Sequence, residues 1–130
     1  MILLTRRKAL ELLDRAVAEK GRDHLAFCTY MSHDTGAPVC IVGYVVHYLD
    51  ETDALLHILD EQHHGANVNH VDWESLGVDL ELGVVELLYA AQKTQDSGSR
   101  WVAALAAAHD KFAEQEARTA NLKNLQELNH

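Results

Sequence analysis

The stretch "APVCIVGYVVHYLD", residues 37–50, decides what kind of fold this chain can build. Val39, Ile41, Val42, Val45 and Val46 are β-branched and suit a buried strand. Against that, fourteen residues is long for a strand, and Pro38 suits the first helical position. Val39, Val42, Val46 and Leu49 also recur at the i, i+3/i+4 spacing of one helical face. The balance favours a helix with a short strand pairing at its start, and a buried strand stays open as the alternative. Gly43, inside this apolar run, is expected to allow close packing.

Working outward, "HLAFCTYM" (24–31) is rich in aromatic and β-branched residues and predicts a strand, followed by a turn at "SHDTG" (32–36). Before it, Thr5 can cap a helix "RRKALELLDRAVAEK" that Gly21 stops. Ala9, Leu10, Leu13, Ala16 and Val17 form its apolar face, and Glu11 and Arg15 form an i, i+4 pair. Arg6, Arg7 and Lys8 fall in its first turn, where the helix dipole disfavours cations. They read as a solvated basic end, with docking of an acidic partner as the alternative.

Downstream, Thr52 can cap "DALLHILDEQHH", which Gly65 ends. Residues 66–79 read as a loop with one helical turn around Trp73. Asp79 can cap "LELGVVELLYAAQKTQD", with Leu82, Val85, Leu88, Tyr89 and Gln92 along one side and Gly98 at its stop. Ser99 opens the last helix, "RWVAALAAAHDKFAEQEARTANLKNLQEL", about 45 Å long at 1.5 Å per residue. The expected fold is mainly α, about five helices, with a small β element near residues 24–40. A compact globular unit over 1–115 would carry a projecting helical tail over 116–130.

Composition narrows the function. With 130 residues and 48% hydrophobic content, one core can form. No run of 18 apolar residues exists, and Met1 to Leu4 runs straight into Arg6 to Lys8 with no apolar region behind them, so a cytoplasmic, neither secreted nor membrane-spanning protein is expected. Cys28 and Cys40 are too few and too far apart for a zinc knuckle or a disulfide framework, and read as reduced buried thiols. A formal charge of −9 argues against nucleic acid. Nine histidines make that charge depend on pH, since half would be protonated near pH 6.5, roughly.

Candidate chemistry centres on "DEQHHGANVNH" (60–70). At 100° per residue, Leu55, Leu56, Ile58 and Leu59 share one sector, while His57, Asp60, Glu61 and His64 lie roughly opposite on the wet face. His57, Glu61 and His64, with His70 across the loop, are the candidate metal ligands, although an outward face lacks a dry surround. Ser32, His33 and Asp34 are consecutive and cannot line up as a triad. The pairs His33-Asp34 and His109-Asp110 lack the further ligands of helical metal phosphohydrolases. No E-x-x-E pair and no phosphate-binding glycine loop occur. Cys28 with His24 or His47 lacks an electropositive setting for a nucleophile. No catalytic constellation emerges, and no cofactor is expected.

Trp101, Leu105, Ala108 and Phe112 step at 4, 3 and 4, and the seam continues through Gln115 and Thr119 to Leu122. Leu125 and Leu128 extend the apolar edge beyond what the domain's own core needs. These leucines, with Trp101 and Phe112, are the candidate interaction residues, and a homodimer is the simplest way to cover them. A tail that folds back or frays is the alternative.

Two segments resemble those of small uncharacterised proteins from actinobacteriophages and their hosts. Gly36, Pro38, Cys40, Val42, Gly43 and Val45 match "G-x-P-x-C-x-V-G-x-V", and Gln95, Asp96, Gly98, Trp101 and Ala104 match "Q-D-x-G-x-x-W-x-x-A". The resembling stretches, residues 34–49 and 95–105, cover about a fifth of the chain, and the tail leucines lie outside them. The resemblance implies a cytoplasmic setting and, for a phage product, a role in altering host physiology. Together with the missing catalytic constellation and the unaccounted tail leucines, it makes the expected function that of a non-enzymatic, homodimeric interaction protein that binds and modulates a host macromolecule, its identity unspecified. The alternative function is a small-ligand or divalent-metal module built on His57, Glu61, His64 and His70.

Overall fold

In the computed structural model, which describes residues 1–27 and 29–128, the segment 37–50 is helical over Ile41–Leu49. Chain order runs β1 (Ile2–Leu4), α1 (Arg6–Lys20), α2 (Ile41–Leu49), α3 (Ala54–His63), a 3-10 turn (Val68–His70), β2 (Val78–Leu80), α4 (Val84–Asp96) and α5 (Trp101–Leu128). Among the described residues the fold is mainly helical, as expected, with five helices of which the last is long, and with a small β content.

The helix α2 starts later than Pro38 suggested. Cys40 is its N-cap, with Sγ accepting from the Gly43 amide at 3.3 Å. Pro38 instead forms an antiparallel bridge with Met31. That bridge and the bonds from Val39 N to Tyr30 O and from Ser32 N to Ala37 O are the β element near 24–40. The strand expected over 24–31 is otherwise absent among the described residues. Leu25 and Phe27 are 53% and 70% exposed, so its β-favouring composition meets no neighbouring strand to pair with.

The regular sheet lies elsewhere. β1 and β2 pair in parallel, Ile2 opposite Val78 and Leu4 opposite Leu80. This pairing shortens the helix expected from residue 80. Glu81 N still donates to Leu4 O at 3.0 Å, and Gly83, at φ 98°, turns the chain into α4. Asp79 therefore caps nothing, and Leu82 is 95% exposed instead of packed. Thr52 likewise is not the N-cap of α3. Asp53 takes that position at φ 63°, while the Asp50 carboxylate accepts from Leu55 N at 3.1 Å and from Thr52. The 66–79 loop has its helical turn at Val68–His70, ahead of Trp73.

In α1, Thr5 Oγ1 accepts from Lys8 N at 3.1 Å, as the sequence predicts. Glu11 meets Lys8 at 3.9 Å, however, and not Arg15. The Arg15 guanidinium lies 4.0 Å from the centre of the Tyr48 ring. The core joins the buried faces of α1, α2 and α4 to Trp101, Ala104 and Ala108 of α5. Amides at the start of α5 are satisfied by carbonyls of the loop that follows α1, Trp101 N to His24 O and Val102 N to Arg22 O, both at 2.9 Å. Ser99 faces Ser97 and does not cap the helix.

Candidate functional site

Two regions stand out, and each departs from the sequence reading in a definite way. On α3, His57 and Glu61 are exposed, and His70 is exposed at the end of the 3-10 turn. Of the expected ligand set only His64 joins a cluster, and it does so with His33 and Asp60. The angular count put Asp60 on the wet face, but its side chain is 7% exposed because residues of the 32–36 turn lie over this side of α3. His33 Nε2 lies 2.9 Å from Asp60 Oδ2, and His64 Nδ1 lies 3.2 Å from Asp60 Oδ1. The two imidazoles are 5.1 Å apart and tilted by 45°. One buried carboxylate thus has both oxygens engaged by histidines that are themselves exposed.

Other histidines have separate partners. His47 faces Asp53, and His109 Nε2 lies 3.0 Å from Asp14 Oδ1 on α1. Neither His33 nor His109 pairs with the aspartate next to it in sequence. His24 stacks edge-on against Trp101, and burial, with Lys20 nearby, lowers its pKa. Burial and the neighbouring Glu19 carboxylate raise that of Tyr48, whose hydroxyl donates to Glu19 at 2.6 Å. Cys28 lies outside the described residues, so its pairing with His24 or His47 does too.

The second region is the end of α5. Trp101 is wholly buried and offers no surface to a partner. Phe112 is half-buried beneath two guanidinium groups, with Arg6 5.2 Å and Arg7 5.6 Å from its ring centre. Gln115 is the last buried residue, and the described side chains from Glu116 onward are exposed. Leu122, Leu125 and Leu128 are 62%, 56% and 81% exposed. Exposed Leu82 and Leu122 border one open groove at the base of this extension.

That base is a polar joint whose partners the sequence did not reveal. Arg6, read as part of a solvated basic end, reaches Glu81 Oε1 at 3.3 Å, Gln115 Oε1 at 3.2 Å and Glu116 Oε1 at 2.6 Å. Glu81 also accepts from the Arg6 amide at 3.1 Å, which places a carboxylate at the α1 N-terminus and offsets the unfavourable cations there. Gln115 Nε2 donates to Gly83 O at 2.9 Å and to Glu86, and Arg118 reaches Glu86 at 3.2 Å. These bonds, the one from Gln115 foremost, hold the Glu86 carboxyl below its ordinary pKa.

The residues of the two resembling segments meet inside the core. Gln95 Oε1 accepts from Ile41 N at 2.8 Å and from Trp101 Nε1 at 3.1 Å, capping α2 and satisfying the indole at once. A Cβ on Gly43 would lie 2.3 Å from Tyr30 O, so glycine alone fits there. This bears out the expectation of close packing and gives these positions a folding role. The sequence placed Gln95 in a resembling segment but did not reveal this bridging role, although a glutamine among the apolar positions of α4 was the available signal. Gln92, which it did place on the packed side, accepts from Val68 N at 2.7 Å.

These features define a small, mainly helical domain with a projecting helix and a histidine-flanked buried carboxylate. No family model, curated protein or solved structure matches the chain. Among the described residues, no helix is long and apolar enough to cross a membrane.

Proposed function

We propose that the protein is a non-enzymatic interaction module that self-associates through the end of α5 and, as a homodimer, binds and modulates a macromolecule of a host cytoplasm. One observation carries the self-association: three leucines lie exposed on thirteen helical residues, 116–128, that project past the last buried side chain. An isolated helix of that length is marginal in water, and burying its apolar edge against a second copy is what stabilises it. Charge favours the same occupant. Glu116, Arg118, Lys123 and Glu127 cancel within this segment, whereas the whole chain carries −9. Two copies meeting tail to tail therefore join at their neutral ends and keep their acidic bodies apart. The phage-type host role rests on the segmental resemblance alone.

The test is the mass of the full-length protein by light scattering across a concentration series. It is compared with a variant carrying Leu122→Ser, Leu125→Ser and Leu128→Ser. A dimer that becomes a monomer in the variant supports the reading. A monomer in both, or a dimer in both, removes the tail from self-association.

A further inference from the structure

We propose that His33, Asp60 and His64 form a binding site for a divalent transition ion of the zinc class, independent of the α5 reading. The site follows from two local structures. Asp60 and His64 are one turn apart at the C-terminal end of α3, so both project from the same side of the helix. His33 is brought to them by the 32–36 turn, which is closed by Gly36 N to Ser32 O at 2.8 Å and anchored by the Met31–Pro38 bridge. The ligands thus come from two elements that are far apart in sequence, which a chance pair on one helix face does not achieve.

The ligand atoms of the three residues all lie within 4.8 Å of one another. A tetrahedral zinc with bonds near 2.0–2.1 Å needs donors about 3.3 Å apart. The His33 and His64 nitrogens stand 2.9 Å and 3.2 Å from the two different oxygens of Asp60, and no two ligand atoms are more than 4.8 Å apart, so movements of up to about 1.5 Å in the exposed imidazoles would bring the set to that spacing. Asp60 is buried and accepts from one or both imidazoles. A metal takes the place of those bridging protons when each imidazole carries its proton on the other ring nitrogen. Two imidazoles and a carboxylate suit zinc, cobalt or nickel better than magnesium or calcium. The outer coordination position faces water, because both histidine side chains are more than half exposed. An ion here would tie the 32–36 turn to the end of α3 and leave one position for an external ligand.

The full-length, untagged, metal-stripped protein is titrated with zinc by calorimetry and with cobalt(II) by visible absorption. The native chain is set beside His33→Ala, His64→Ala and the double control His57→Ala/His70→Ala. All these side chains are exposed, so the variants keep the fold, which circular dichroism verifies. The expected result is one equivalent bound, with a tetrahedral cobalt spectrum. Affinity should fall by about 100-fold in His33→Ala and in His64→Ala, at least what loss of an outer-shell partner costs, and hold in the control. No saturable one-to-one binding overturns the proposal. So does binding that survives His33→Ala and His64→Ala, or that is lost in the control, because the ion is then adventitious or held elsewhere.

Discussion

The two parts of α5 belong to one uninterrupted helix and differ in what surrounds them. Over 101–115 the helix lays Trp101, Ala104 and Ala108 into the core and ends in a joint of Arg6, Gln115 and Glu86. Over 116–128 the same helical backbone continues with leucines in water. The difference teaches that an apolar edge marks a surface to be covered, while only tertiary contact says whether the chain itself covers it. In the first part the domain does so; in the second, another copy is proposed to.

The largest effect that can sharpen this contrast lies in the first part. Trp101→Ala should lower the unfolding free energy by about 3–5 kcal/mol, because it opens a cavity and leaves Gln95 without its indole donor. Urea denaturation of variant and native protein measures it. A loss near the ±0.5 kcal/mol typical of surface substitutions, roughly, would show that α5 is not part of the core.

A smaller effect is expected at the joint. The Glu86 carboxyl titrates below its ordinary value of 4.5 in the folded protein, so its stabilising contribution is present above that pH and is lost as pH falls through the folded value. Thermal stability of the native chain should therefore exceed that of Glu86→Gln near neutrality, and the gap should narrow below about pH 4.5. A gap constant across that range would mean that Gln115 and Arg118 do not favour the charged form of Glu86.

The elements most legible in sequence were those fixed by local pattern. Thr5 and Gly21 bracket α1 because capping and helix termination act within one turn. The length and spacing of 37–50 point to a helix, and its start at Ile41 is set by Cys40 together with Gln95, fifty-four residues away. The shortened α4 and the sheet of β1 and β2 depend on a pairing between residues more than seventy apart, which no local pattern announces. Arg6 looked solvated because its carboxylate and amide partners lie at 81, 115 and 116.

The candidate site was legible in part for the same reason. Helical geometry put His64 on an outward face, and it is there. It put Asp60 there too, because an angular count knows nothing of a turn from residues 32–36 lying across the helix. Ile58, assigned to the apolar sector, is 40% exposed. His33 could not be joined to Asp60 by spacing, since the two are twenty-seven positions apart with the whole of α2 between them.

The most direct test of the central claim is amide hydrogen exchange along α5 at low and high concentrations of the full-length protein. If the ends pair, exchange is slow over the buried part of 101–115 at both concentrations, and protection over 119–128 rises with concentration. Fast exchange over 119–128 at every concentration would contradict the pairing, because the exposed leucines would then have no second copy to cover them.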